Sequence, residues 1–275
     1  MKGYAQQIDE AVRAAKKRTR VVPEVGIILG TGLDALAGEI RTPERVAYAD
    51  LPHFTTATVT THKAEYVFGT IAGKSVCAMA GRFHKYQGYT MREITLPVWV
   101  MQRLGMKVLI VSNACGGMRE EHVPGDLFLI EDHINLLGDN PLIGLDEAAF
   151  GNLFVDMLDP YDRELIALAE KAAKAEGVTV RKGMYAAVPG PNLETRAEYE
   201  WLRTIGADAV GMSTVPEVIV ARQCGVRCLG LACITDRCVP GELEPVDIAR
   251  IIRTATEAEP KLSRVVQRVI EELKL

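Results

Sequence analysis

The sequence predicts an α/β protein: one domain, residues 1–275, with a central mixed, mostly parallel β-sheet flanked by helices. Strand candidates and helix candidates alternate along the chain, which is the pattern of a parallel sheet with crossover helices. A chain of 275 residues is within what one hydrophobic core organises, and no linker, internal repeat or low-complexity segment divides it. The composition, 48% hydrophobic and 25% charged, is typical of globular proteins.

The first half of the chain opens with an amphipathic helix in residues 1–20, where apolar side chains recur at helical spacing. Short aliphatic runs bounded by glycine or polar residues predict strands, and Ala72-Gly73 between two such runs predicts a hairpin. A longer segment with apolar residues three and four apart predicts a helix. After the first helix we therefore expect strand 25–29, strands 65–71 and 74–80, helix 91–104, and strands 107–112 and 127–131.

The second half repeats the alternation. We expect helix 161–176, strand 178–187, helix 194–204, strand 208–211, helix 215–224, strand 226–235 and a C-terminal helical region from about residue 246. Pro260 is expected to break or kink this last region, because proline removes a helical hydrogen bond. Two long segments without predicted regular structure, 50–64 and 132–160, have the length of loops that close over a ligand or make subunit contacts.

Charge and hydropathy exclude several classes of partner. The formal net charge is −4 and the basic residues are spread over the whole length, so we expect no nucleic-acid partner. No run of about 18 apolar residues is present, and the N terminus lacks the apolar segment of a signal peptide. We therefore expect no membrane contact and a cytoplasmic location.

The cysteines raise the question of a metal site. Cys224, Cys228, Cys233 and Cys238 lie close together in the sequence, but structural zinc sites draw ligands in close pairs from turns. Cys228 and Cys233 lie instead in the apolar run VRCLGLACIT, which predicts a buried strand. We interpret these cysteines as small buried hydrophobic residues with reduced thiols, and we expect no metal.

Several predicted strands end in glycine-rich or polar turns. These turns are LGTG at 29–32, VSNACGG at 111–117, AVGMST at 209–214 and CITD at 233–236. In open α/β sheets, ligands bind outside the carboxyl ends of the strands. We therefore expect the four turns to line one common site.

The first turn allows an alternative function. Gly30, Gly32 and Ala35 formally match the dinucleotide fingerprint G-x-G-x-x-G/A, which suggests an NAD-dependent oxidoreductase. That class needs an acidic residue at the end of a second strand about 20 residues further on. Asp50 has this spacing, but the segment RTPERVAYA before it is only weakly strand-like. A glycine-rich turn can equally hold another anion.

Three polar or glycine-rich segments each fit two local interpretations. Arg82 and His84 in GRFHKYQGY can bind an anion or occupy a solvated turn. Residues 112–117 contain consecutive glycines that suit either close approach to a ligand or a tight strand-to-helix turn. Glu194 in PGPNLETRAEYE is either a site residue or part of a helix start capped by Asn192.

Considered together, eight segments resemble the signature segments of the trimeric, low-molecular-mass purine nucleoside phosphorylases. They are GTGL (30–33), THKAEYVFG (61–69), GRFHKYQGY (81–89), SNACGGM (112–118), DHINL (132–136), PGPNLET (189–195), GADAVGMSTVPEVIVAR (206–222) and ITD (234–236). The resemblance implies a phosphorylase/hydrolase-like fold, a homotrimer, and phosphorolysis of purine ribonucleosides and deoxyribonucleosides to free base and the sugar 1-phosphate. It also implies that inorganic phosphate is a co-substrate and that no metal or organic cofactor takes part.

The same resemblance implies residue roles. Phosphate is expected to meet Thr31, His62, Arg82, His84, the backbone of Ala114, and Ser213. The ribose is expected to meet Tyr86 and Met212, and the base to meet Leu193, Glu194, Thr235 and Asp236. His84, Glu194 and Asp236 are the expected catalytic residues, and Phe150 or Phe154 is expected to reach into a neighbouring subunit's site.

Two departures from the family pattern concern the substrate. Asp236 stands where the 6-oxopurine enzymes have asparagine, and an ionised carboxylate favours a 6-amino group but repels O6. Glu194 favours the opposite base, because it accepts naturally from the N1–H of a 6-oxopurine. In the family, a histidine of the C-terminal segment usually meets the 5′-hydroxyl of the nucleoside. Here all five histidines precede residue 134, so another residue must take that place. The related methylthioadenosine phosphorylases combine such an aspartate with an apolar 5′ pocket, and their activity is the alternative.

Overall fold

The computed structural model describes residues 3–30, 35–55 and 64–275. Nine strands occur in these ranges: β1 (Val25–Ile28), β2 (Arg41–Ala47), β3 (Glu65–Ile71), β4 (Lys74–Ala80), β5 (Val108–Gly117), β6 (Leu127–Asn135), β7 (Val180–Ala187), β8 (Ala209–Gly211) and β9 (Arg227–Arg237). They form one sheet in the order β2-β3-β4-β1-β5-β8-β7-β6-β9. Because β5 also pairs with β9, the strands from β5 to β9 close into a ring.

The described ranges also contain seven α-helices: α1 (Tyr4–Lys16), α2 (Met91–Leu104), α3 (Glu147–Phe150), α4 (Arg163–Ala175), α5 (Arg196–Thr204), α6 (Val215–Gln223) and α7 (Ile248–Glu272). Short 3-10 helices cover Ala35–Glu39, Tyr48–Asp50 and Lys85–Gln87. No helix within the described ranges combines the length and the apolar character needed to cross a membrane. The α/β class predicted from the alternation of elements is confirmed.

The sheet is mixed, as predicted, but it contains more antiparallel pairs than the one expected hairpin. β1 runs parallel to β4 and β5, β5 runs parallel to β9, and β7 runs parallel to β6 and β8. β2 with β3, β3 with β4, β5 with β8, and β6 with β9 are antiparallel. The antiparallel pairs β5–β8 and β6–β9 belong to the ring, and ring closure joins segments too distant in sequence to be predicted locally.

Local signals predicted the hairpin and the second helix correctly. The loop between β3 and β4 is Ala72-Gly73, with φ of 49° and 79°, as a two-residue hairpin turn requires. Helix α2 begins after Thr90, whose hydroxyl accepts from the backbone N–H of Glu93 while the Glu93 carboxylate accepts from the N–H of Thr90. Both ends of these elements coincide with the predicted bounds.

Other boundaries differ from the prediction. Residues 112–117 are not a turn, because β5 continues to Gly117 by pairing with β9 from Ala114↔Cys233 to Gly117↔Arg237. Helix α5 is capped by Thr195, whose hydroxyl accepts from the N–H of Glu198 at 3.2 Å. The alternative in which Asn192 caps this helix is therefore wrong.

Strand β2 was not among the expected strands, since its segment is only weakly strand-like, and it contains Pro43. It lies at the edge of the sheet with an irregular register between Arg41 and Glu44, and an edge position tolerates a residue without an N–H. The acidic residue that follows, Asp50, ends a short 3-10 helix rather than a strand beside β1, whose neighbours are β4 and β5. Asp50 therefore does not stand at the end of a strand beside β1, as the dinucleotide-binding alternative requires.

The predicted C-terminal helical region is one helix. Pro260 was expected to break or kink it, but α7 runs through Pro260 without a break. Buried residues lie on both sides of the proline, among them Ala258, Leu262 and Val266. Packing of this apolar face offsets the single hydrogen bond that the proline removes.

Candidate active site

A cavity of about 320 Å³ lies where the predicted strand-end turns meet. Gly30 comes shortly after β1, and Asn113 to Gly116 lie near the end of β5. Residues 210–213 include the end of β8 and the two residues after it, and Thr235 and Asp236 lie near the end of β9. The structure thus brings all four segments to one site. Gly30 permits this approach, because a Cβ there would lie 2.7 Å from the Cα of Asn113 and 2.9 Å from the carbonyl oxygen of Ser112.

The cavity also collects the residues singled out from the sequence. Those that line it are Arg82, His84, Tyr86, Ala114, Leu193, Glu194, Met212, Ser213, Thr235 and Asp236. Thr31 and His62 lie outside the described residues. The local interpretation that placed GRFHKYQGY in a solvated turn is wrong for Arg82, which is only 3% exposed.

Arg82 is held by several acceptors. Its Nε donates to Oε1 of Glu217 at 3.1 Å, and Nη1 donates to the carbonyl oxygen of Ser112 at 3.0 Å and to Oγ of Ser213 at 3.1 Å. Nη2 lies 2.9 Å from Oε1 of Glu217, but this ion-pair contact is not aligned as a hydrogen bond. Arg82 is thus a buried guanidinium in the cavity wall, held by a carboxylate, a backbone carbonyl and a hydroxyl.

Glu217 is a site residue that was not predicted from the sequence. It lies in the first turn of α6 and is 1% exposed, so its carboxylate balances the buried charge of Arg82 and benefits from the helix N-terminus. A usable signal was the single carboxylate in the apolar segment VPEVIVA. A lone charge in such a segment indicates a buried partner.

A strained turn presents Ser213 to the cavity. Thr214 has φ 76° and ψ −51°, and the N–H of Val215 donates to the carbonyl oxygen of Ser213 at 2.8 Å, which defines a γ-turn of the rare positive-φ type. Asn113 Nδ2 donates to Oγ1 of Thr214 at 2.6 Å. Strain of this kind persists where surrounding contacts enforce it, often at functional sites.

His84 is oriented by its own turn. Its backbone N–H donates to Oε1 of Gln87 at 2.8 Å, and its Nδ1 lies 3.3 Å from the same oxygen. The Gln87 side chain therefore fixes the orientation of the His84 imidazole ring. The ring of Tyr86 stacks on that of His84 with centroids 4.7 Å apart. Gln87 was not predicted as a site residue.

A β-bulge aims Thr235 and Asp236 into the cavity. Cys115 pairs with Ile234 and Gly116 pairs with Asp236, so Thr235 is the extra residue. Thr235 Oγ1 lies 2.8 Å from Oδ1 of Asp236 and 3.2 Å from the carbonyl oxygen of Cys115, and donates to either. The bulge therefore supplies two neighbouring polar side chains at one point.

Glu194 shares the cavity with Asp236. Burial raises the pKa of the Glu194 carboxyl, and the nearby Asp236 raises it further, while contacts with its own backbone and Tyr199 oppose the shift. When one of two neighbouring carboxyl groups is ionised, its negative charge disfavours ionisation of the other. The protonated form of Glu194 is thus populated at higher pH than for an ordinary glutamate.

One wall of the cavity is apolar. It consists of Ile248, Ile251, Ile252 and Ala255, all from α7. Ile248 is 58% and Ile252 is 46% exposed, so this wall presents unusually open aliphatic surface. No histidine lies in this part of the chain.

The two candidate aromatic residues for a neighbouring site differ. Phe150 packs within its own chain, with ring centroids 4.8 Å from Trp99 and 6.0 Å from Tyr4. Phe154 is 88% exposed. Phe154 is thus the more exposed of the two, whereas Phe150 is half-buried.

The fold and site define an α/β protein that can hold an anion beside a heterocycle, because a buried arginine and a pair of carboxyl groups face one cavity. A family model described as Phosphorylase superfamily matches residues 24–271. The chain belongs to this superfamily and, by its relatives, to the purine nucleoside phosphorylases. The resemblance found in the sequence is confirmed.

Purine nucleoside phosphorylase 1 of Bacillus subtilis (strain 168) is 46% identical, covering 96% of this chain and 97% of the relative. Purine nucleoside phosphorylase of Rattus norvegicus is 40% identical, covering 94% of this chain and 92% of the relative. Among solved structures, Schistosoma mansoni purine nucleoside phosphorylase in complex with inosine has a TM-score of 0.93 and 35% identity, covering 98% of this chain and 97% of that one.

Proposed function

We infer that this chain catalyses the phosphorolysis of purine nucleosides. An oxygen of inorganic phosphate bonds to C1′, and the C1′–N9 bond breaks with its electron pair moving to the base. The products are the free purine and ribose or deoxyribose 1-phosphate. The observation that carries this inference is a single cavity of about 320 Å³ lined by a buried arginine and by two carboxyl groups.

The phosphate end of the site rests on Arg82 and Ser213. The guanidinium contributes charge and donors, and the hydroxyl adds a further polar group next to it. His84 and the backbone of Ala114 line the same cavity and would complete the cradle, together with Thr31 and His62. The bound anion would also stabilise the positive charge that develops on the ribose in the transition state.

The base end rests on Glu194 and Asp236, with Leu193 and Thr235 beside them. Cleavage leaves electron density on the purine, so the transition state is stabilised when N7 is protonated or hydrogen-bonded. Asp236 can accept from N7–H and from a 6-amino group, which extends the base preference toward 6-aminopurines. Tyr86 and Met212 would contact the ribose between the two ends.

A direct assay tests the reaction. Inosine, guanosine and adenosine are incubated with the protein in the presence and absence of phosphate, and free base is measured. We expect release that depends on phosphate and produces one sugar 1-phosphate per base. No phosphate-dependent release from any of the three would refute the proposal.

A second candidate substrate is methylthioadenosine. The apolar wall formed by α7 favours it, because isoleucine side chains suit a methylthio group better than a hydroxyl. Including methylthioadenosine in the same assay compares the two activities. A kcat/KM above that for adenosine would identify the 5′ preference as apolar.

The assembly and the location of the protein belong to the same proposal. Residues 1–275 would act as one domain in a cytoplasmic homotrimer that needs no metal or organic cofactor, with purine nucleoside and phosphate as ligands and neither nucleic acid nor membrane as partner. Exposed apolar side chains in the long segment after β6 support self-association: Ile143 is 69%, Phe154 88% and Leu158 78% exposed.

A further inference from the structure

Both oxygens of the Asp236 carboxyl group are held by neighbouring side chains. Thr235 donates to Oδ1 at 2.8 Å, and the thiol of Cys238 donates to Oδ2 at 3.0 Å. Cys238 lies two residues after Asp236, so its side chain lies on the same side of the extended chain. It is 2% exposed and lines the cavity.

Gly116 on the neighbouring strand makes room for this thiol. A Cβ at position 116 would lie 2.6 Å from Sγ of Cys238 and 3.5 Å from Oδ2 of Asp236. The first distance is far shorter than a van der Waals contact, so any larger residue displaces the thiol. Gly116 of the SNACGG segment thus makes room for a side chain that lines the cavity.

The thiol remains a hydrogen-bond donor over the neutral pH range. Burial raises the pKa of Cys238, and the charge of the adjacent Asp236 raises it further. A protonated thiol is a weak donor, and its hydrogen bond is strengthened when the acceptor is charged.

We propose that Cys238 is a positioning residue that determines base preference, by holding Asp236 as an acceptor for the N–H groups of a 6-aminopurine. This inference rests on the proposed phosphorolysis and on contact between Asp236 and the base. Without the thiol, Oδ2 lacks its donor, and the carboxyl group is free to rotate out of the orientation that accepts from a 6-amino group. The preference would move toward 6-oxopurines.

The test compares kcat/KM for adenosine and inosine in substituted proteins. Cys238→Ala should lower the ratio of adenosine to inosine about three- to tenfold, as expected for loss of one weak hydrogen bond to a charged group. Cys238→Ser retains a donor and should keep the ratio within about twofold of the original. The matched control is Cys233→Ala, because Cys233 is a buried cysteine within β9 that does not line the cavity.

A second pair of variants tests the packing independently. Gly116→Ala should shift the ratio in the same direction as Cys238→Ala, because the added methyl displaces the thiol. In the double variant, removal of Sγ leaves space for this methyl, so the two effects should not add.

Particular results would overturn the inference. A parallel loss of activity on both nucleosides with an unchanged ratio would mean that Cys238 is merely structural, as would an equal shift in Cys233→Ala. An unsubstituted protein that cleaves inosine but not adenosine would also contradict it, while the proposed function stands. If the unsubstituted protein cleaves neither, the proposed function itself fails.

Discussion

At the scale of single residues, the positive charge of Arg82 is buried in the cavity wall and stabilised by its neighbours. Glu217 balances the guanidinium, while Ser112 and Ser213 fix its orientation. Because these contacts fix the guanidinium in the cavity wall, Arg82 is a preorganised candidate for binding an anion.

Substitution of this arginine tests the interpretation. Arg82→Lys keeps the charge but cannot reproduce the forked contacts, so we expect KM for phosphate to rise about tenfold or more. Arg119→Lys is the matched control, since Arg119 pairs with Asp208 and does not line the cavity. Equal phosphate KM values in both variants would contradict the role of Arg82.

A pH profile tests the carboxyl pair. Glu194 has a raised pKa because of burial and the charge of Asp236, so its protonated fraction grows as pH falls from neutral toward mildly acidic values. Protonated Glu194 can donate to N1 of adenine, whereas the ionised form accepts from N1–H of hypoxanthine. The kcat/KM ratio of adenosine to inosine should therefore rise as pH falls.

The glutamine variant provides the control for this profile. Glu194→Gln cannot titrate and offers both a donor and an acceptor, so the ratio should become nearly independent of pH. A pH dependence that persists unchanged in Glu194→Gln would assign the titration to another group.

At the scale of elements, the site depends on how closely β1 and β5 approach one another. The Ser112 hydroxyl donates to the carbonyl oxygen of Ile28 at 3.0 Å and accepts from the N–H of Gly30 at 3.2 Å. These two hydrogen bonds join the end of β1 to the middle of β5. The missing side chain at position 30 permits this contact with the backbone of β5. Gly30 is thus a packing residue as well as part of a candidate anion site.

Two glycine substitutions separate packing from a general effect of alanine. Gly30→Ala places Cβ against backbone atoms of β5, so we expect it to reduce the free energy of unfolding by about 1–3 kcal/mol and to lower activity. Gly38→Ala should be nearly neutral, because no atom lies within 4 Å of the added Cβ. Denaturant unfolding of both proteins measures the difference, and equal stabilities would contradict the steric argument.

At the scale of the whole molecule, the ring formed by β5 to β9 supplies much of the cavity wall. Strands β5, β8 and β9 each contribute residues to the cavity, and the neighbouring helix α7 adds the apolar wall. The long segment after β6 leaves Phe154 projecting from the surface, which fits a residue that completes its environment in another subunit.

Two phenylalanine variants test this assignment. Phe154→Ala should lower kcat/KM about tenfold with little change in thermal stability, as expected for loss of an aromatic contact with substrate across subunits. Phe150→Ala should instead lower the melting temperature, because Phe150 packs on Trp99 within its own chain. Light scattering measures the oligomeric state of both. Full activity of Phe154→Ala would contradict the subunit contribution.

The sequence by itself determined the local elements and the chemistry available to the site. Turn and capping signals predicted the β3–β4 hairpin and helix α2, and specific segments identified Arg82, Ser213, Glu194 and Asp236. These signals depend on neighbouring residues, so they can be read locally. Only the tertiary structure decided that 112–117 is strand, that α7 continues through Pro260, and that Glu217, Gln87 and Cys238 support the site. Strand pairing, helix burial and the partners of buried polar groups depend on contacts distant in sequence, and these form when the chain packs.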